Sequence, residues 1–91
     1  MSDQVSTLKT QAEIQEWLSD YIMEALDLPK EDIDVEASFE TFGIDSITMV
    51  EISYQVGEWL NIEIDPKSLY NYPSIAAVSA YLEGLTIKEH G

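Results

Sequence analysis

Ninety-one residues form one domain, and a chain this short buries only about 60–65% of its unfolded surface, enough for one modest core. Cysteine is absent, which excludes disulfides, thiolate metal sites and thiol chemistry together. Eighteen Asp and Glu stand against four Lys and no Arg, a formal charge of −14. That balance excludes nucleic acid and an anionic membrane surface as partners, because phosphate neutralisation needs clustered Lys and Arg. Two readings of the charge stay open: an acidic surface that resists aggregation, or a field that steers the chain toward basic patches on partners. A hydrophobic content of 45% in regular periods argues for a packed core rather than disorder.

The first nine residues are polar and read as a flexible tail, with neither a signal peptide nor a membrane span. A cytoplasmic protein is expected. Thr10-Gln11-Ala12-Glu13 is a capping box that opens the first helix. Ile14, Trp17, Leu18, Tyr21, Ile22, Ala25 and Leu26 follow at the three-four spacing of one buried face, and Pro29 disfavours helical geometry at Leu28 and ends the segment. From Asp27 to Asp45 no period is sustained. The stretch reads as a long loop pinned by Ile33, Val35, Phe39 and Phe42, either functional or a crossover whose length geometry demands.

A second helix runs from about Ser46 to Leu60 and is closed by Asn61, with Ile62-Glu63-Ile64 as a short extended link. Asp65-Pro66 is a cap and first-position pair that opens a brief turn through Ser68, Leu69 and Tyr70. Ser74 caps a last helix with Ile75, Val78, Leu82 and Leu85 on its core stripe. Gly84 suits its C-terminal end, and residues 86–91 should fray. The fold expected is all-α: a small bundle of three main helices, one short helix and a long first loop, occupying residues 10–85.

At 100° per residue, Met49, Ile52, Val56, Trp59 and Leu60 share roughly 100° of arc as the core stripe of the second helix. Ile47, Val50 and Tyr54 lie on the opposite side within roughly 60° of one another, bordered by Glu51 and Glu58. A helix in so small a bundle cannot bury both faces, so this second stripe is either a docking surface or packing beneath the long loop. At the head of the helix stands Ser46, preceded by Gly43, which permits a turn that side chains resist. Ser46 is not needed as the cap, since Asp45 serves at least as well. A phosphate on it would meet the favourable helix N-terminus, with Asp45 opposing.

A catalytic serine needs a positioned base and an oxyanion hole. The only histidine is His90, beside the terminus, and no nucleophile-elbow pattern surrounds Ser46; no enzyme is expected. The acidic loop fails as an EF-hand, with Ala37 and Gly43 at the two most demanding positions counted from Asp32.

Phe42-Gly43-Ile44-Asp45-Ser46-Ile47 resembles the attachment motif of acyl carrier proteins, and the similarity extends from about Thr10 to Gly84. Leu69-Tyr70-Asn71-Tyr72-Pro73-Ser74-Ile75 resembles the polyketide and non-ribosomal synthase carriers in particular, while Asp45 resembles acyl rather than peptidyl carriers. The resemblance implies a right-handed four-helix bundle whose Ser46 receives 4′-phosphopantetheine from coenzyme A through a separate phosphopantetheinyl transferase. The arm then holds acyl groups as thioesters for polyketide, hybrid polyketide-peptide or fatty-acid assembly. It further implies a recognition helix with Asp45, Ile47, Val50, Glu51 and Tyr54 facing acyl-loading, ketosynthase or tailoring enzymes that carry basic docking patches. Thr48 and Gly57 depart from the acidic residues common in fatty-acid carriers, which implies a different partner selectivity. A monomer is expected. The alternatives are an aminoacyl carrier of D-alanyl type, and an acidic interaction module that is never modified.

Overall fold

Thr10 does start the first helix. In the computed structural model, which describes residues 9–90, its Oγ accepts from the Glu13 N–H at 3.2 Å, and Glu13 Oε1 accepts from the Thr10 N–H at 2.9 Å. The expected N-terminal tail lies outside the described residues except for Lys9. Helix α1 runs over Gln11–Leu26 and buries Ile14, Leu18 and Ile22, with Trp17, Tyr21 and Leu26 half-buried against the same core. Ala25, expected on that face, is exposed. The helix stops at Asp27 rather than at Pro29. Asp27 takes the left-handed conformation (φ 56°), and Asp27 and Leu28 both donate to the Met23 carbonyl, a hydrogen-bonded ending that satisfies an otherwise orphaned acceptor.

The long loop is more ordered than its lack of period suggests. It contains two 3₁₀ turns, Lys30–Asp32 and Phe39–Phe42. It is also tied to the start of the last helix: Phe39 N–H donates to the Pro73 carbonyl at 2.8 Å, and the Val35 carbonyl accepts from Ala76 N–H at 2.9 Å. The second bond satisfies one of the first-turn amides that a helix cannot satisfy itself. Phe39 is wholly buried, and Ile33, Val35 and Phe42 pack around the core edge.

Helix α2 occupies Ser46–Leu60, and Asn61 ends it in the left-handed conformation (φ 59°). Ile62 N–H reaches back to the Gly57 carbonyl at 3.0 Å. This return brings the chain so close that a Cβ on Gly57 would lie 2.8 Å from the Ile62 carbonyl oxygen. That oxygen is backbone, held by the helix ending, and cannot swing away. Gly57→Ala is therefore expected to cost about 1–3 kcal/mol, the usual range for overpacking, read as a lowered urea midpoint with an unchanged slope.

Beyond the link, Pro66 already has helical dihedrals and Asp65 Oδ1 accepts from Lys67 N–H at 3.0 Å, so Asp65 caps the short helix α3 (Lys67–Asn71) as expected. Ser74 Oγ accepts from Ala77 N–H at 3.1 Å and opens α4 (Ile75–His90). Ile75, Val78 and Leu82 are buried in it and Leu85 half-buried. The helix does not end at Gly84: of residues 86–91, expected to fray, 86–90 continue α4, and Gly91 lies outside the described residues. Thr86 falls on the same stripe as Val78 and Leu82, is buried, and satisfies its hydroxyl on the Glu83 carbonyl at 2.8 Å, so the core contact carries the helix onward. α4 packs along α1, and Glu83 accepts from the Gln11 N–H at the start of α1. Trp59 is a boundary residue rather than a core one: it stacks on Trp17 at 5.3 Å, and Trp17 stacks in turn on Tyr21 at 5.4 Å.

Candidate functional site

The site is built by the turn that precedes α2. Gly43 closes the second 3₁₀ turn at φ 80°, a left-handed conformation that costs glycine nothing. Ile44 N–H then donates to the Phe39 carbonyl at 3.2 Å while its side chain enters the core. The burial of Ile44 escaped the sequence reading because it belongs to no periodic run. Three residues after Ser46, Met49 is buried as well. Residues 45–48 are thus held between two core anchors, which fixes the direction in which the first turn of α2 faces.

Asp45 is the cap. Its Oδ1 accepts from Thr48 N–H at 2.9 Å, and hydrogen bonding by Thr48, first from its backbone and second from its side chain, holds the Asp45 carboxyl below the ordinary aspartate range. A group whose folded pKa is lowered stabilises the fold above its unfolded value near about 3.9 and loses that contribution as pH falls through the folded value. Asp45→Asn keeps an acceptor but removes the titration. The stability difference between wild type and this variant should therefore shrink on acidification below about pH 4, measured by paired urea melts.

With Asp45 so engaged, Ser46 is the first helical residue and is exposed, and its hydroxyl makes no hydrogen bond among the described residues. Among the described residues no base lies within hydrogen-bond reach of that oxygen, as serine nucleophiles require. The Ser46 and Ile47 amides are likewise without acceptors, two of the orphan donors of a helix start. An anionic group bonded to Ser46 fits this place, because the carboxylate that would repel it is turned back onto Thr48.

One turn along, Ile47, Val50 and Tyr54 are 76%, 51% and 64% exposed, so they do not pack beneath the long loop. Glu51 and Glu58 flank them, both exposed. Glu51 also bears on α1: the Tyr21 phenol is pushed up, by burial first and by the Glu51 charge second. Gly57 is buried, so packing rather than partner choice accounts for the missing acid there. No group of three or more potential metal-ligating side chains occurs among the described residues, and none of their helices is long and apolar enough to cross a membrane.

A family model described as "phosphopantetheine attachment site" matches residues 16–82, a span that includes Ser46 and all of α2. The chain belongs to the phosphopantetheine-binding carrier family. Members of this family hold 4′-phosphopantetheine covalently and are generally not catalysts themselves. The chain is similar to the acyl carrier protein TtuC of Teredinibacter turnerae, with 33% identity over 80% of this chain and 84% of that protein. Polyketide synthase PksL of Bacillus subtilis is 32% identical over 88% of this carrier, which spans only 2% of that synthase. In three dimensions the carrier resembles Asl1650, an acyl carrier protein from Anabaena with a variant phosphopantetheinylation-site sequence. The TM-score is 0.79 at 32% identity, over 86% of this chain and 89% of that one.

Proposed function

We propose that Ser46 bears the 4′-phosphopantetheine arm and that the carrier holds acyl groups for a polyketide-type assembly system, itself catalysing nothing. The observation that carries this reading is the exposed, unbonded hydroxyl of Ser46, the first residue of a helix whose cap is a different residue. In the transfer, the Ser46 oxygen bonds to the pantetheine-bearing phosphorus of coenzyme A, the diphosphate P–O bond breaks to release adenosine 3′,5′-bisphosphate, and the transferase takes the hydroxyl proton. The arm supplies, once attached, the thiol that this cysteine-free chain lacks. The Ser46 and Ile47 amides, free at the helix start, favour an anionic phosphate there. Residues 10–85 make up the core of the carrier domain on this reading, and α4 runs on from it to His90. Incubation with coenzyme A and a broad-specificity phosphopantetheinyl transferase should add one phosphopantetheine mass, seen by intact-protein mass spectrometry. An unchanged mass would overturn the reading and leave an acidic interaction module in its place.

Asp45, Ile47, Val50, Glu51 and Tyr54 form the surface on which the transferase and the acyl-handling enzymes dock. Its apolar centre and carboxylate rim match a basic-rimmed apolar patch, and the charge of −14 accelerates encounter. Tyr54→Ala should slow transfer at low salt by roughly tenfold, the loss typical of one central aromatic contact. Raising ionic strength from low to physiological values should slow wild type too, since exposed charges are screened beyond about 8 Å there. Transfer rates indifferent to salt would speak against electrostatic steering.

A further inference from the structure

The outer face of α1 carries features that the carrier role does not use. Glu16, Asp20 and Glu24 follow one another at four-residue spacing and are all exposed, and like charges so placed repel. Among the described residues no lysine pairs with any of them. Beside them runs the ring stack of Tyr21, Trp17 and Trp59, whose far end already holds a cation: the Lys9 ammonium sits 5.2 Å from the Trp59 ring centre. Trp17 and Asp20 stand between two open clefts. One, of about 530 Å³, lies among Trp17, Tyr21, Met23 and Leu28. The other, of about 260 Å³, lies where Glu16 and Trp17 meet Trp59.

Aromatic walls rimmed by unpaired carboxylates suit one kind of side chain, an aliphatic stem ending in a cation. Its methylenes cover the rings while its head reaches the acids. We infer that the α1 face is a second docking surface, taking an arginine- or lysine-bearing helix of a partner protein across Trp17 and Tyr21 toward Glu16 and Asp20. The charge of −14 disfavours a second copy of this chain in that place. The stack adjoins Glu51 at one end and reaches Trp59 at the other, thirteen residues beyond Ser46, about 20 Å along α2 at 1.5 Å per residue. The inference goes beyond the carrier reading and does not depend on the arm.

The chain has two tryptophans, and both lie in the stack, so their indole N–H signals report on this face alone. The test is a nuclear magnetic resonance titration of the whole chain with an amphipathic helical peptide bearing Arg and Leu at three-four spacing. Both indole signals should shift saturably, and Glu16→Gln with Asp20→Asn should weaken the apparent affinity about fivefold, in line with the loss of two exposed ion pairs. Indole signals that stay still, that shift equally in the double variant, or that move with protein concentration without peptide would each overturn the inference. Shifts confined to Ile47, Val50 and Tyr54 would do so as well. A chain that gains the phosphopantetheine mass while its indoles ignore the peptide defeats this inference alone. The opposite pair of results defeats only the carrier reading.

Discussion

Ser46→Ala should abolish phosphopantetheine addition completely while leaving the fold intact. The loss is total rather than graded because the oxygen that must bond to phosphorus is gone, and no neighbouring group can replace it: Asp45 is committed to Thr48, and the Thr48 side chain lies two residues further along the helix. The fold should tolerate the change because Ser46 makes no side-chain hydrogen bond and is exposed. Alanine is also the best helix former at a position already inside the helix. Stability should therefore move by no more than about 0.5 kcal/mol. Mass spectrometry beside a urea melt makes the outcome decisive. An adduct persisting on the variant would mean that another residue is the acceptor. A collapsed melt would mean that Ser46 is structural, and the proposed role would fall with it.

Phe39→Ala is expected to do the reverse, preserving the acceptor and damaging the fold. Among the described residues Phe39 is the largest wholly buried side chain, and Phe→Ala in a core costs about 3–5 kcal/mol. A domain of this length has about 5–14 kcal/mol in all, so the variant would lose a large share of its stability. The damage should also reach the site. The Phe39 carbonyl receives the Ile44 N–H that fixes the turn before Ser46, and its own N–H ties the loop to Pro73. The expected result is a urea midpoint lowered by the equivalent of that cost, together with early loss of amide-exchange protection in residues 39–45. A shift below about 1 kcal/mol would show that the loop is not held by Phe39.

The two variants divide along the same line as the information in the chain. What short-range chemistry controls was legible from the residues: the Thr10–Glu13 box, the span Ser46–Leu60, Asp45 as cap, Asn61 as terminator, and the Asp65 and Ser74 starts. Each of these rests on groups within four residues of one another, so no knowledge of the rest of the molecule is required. The outward set of Ile47, Val50 and Tyr54 was nearly legible for the same reason, since helix geometry alone put them opposite the core stripe. Whether the long loop covered them was not.

Whatever depended on remote partners was decided only by the assembled bundle. α4 continued through Thr86 because its buried face went on finding core. Ile44 became an anchor, Gly57 became obligatory beneath the Ile62 carbonyl, and Trp59 left the core to stack on Trp17. A residue's own neighbours along the chain set its backbone preference and which face it points from, but burial is a property of the space other segments occupy. The serine and its helix could therefore be named from the sequence, whereas the rigid seat that holds the hydroxyl outward exists only because residues far along the chain close around Phe39 and Ile44.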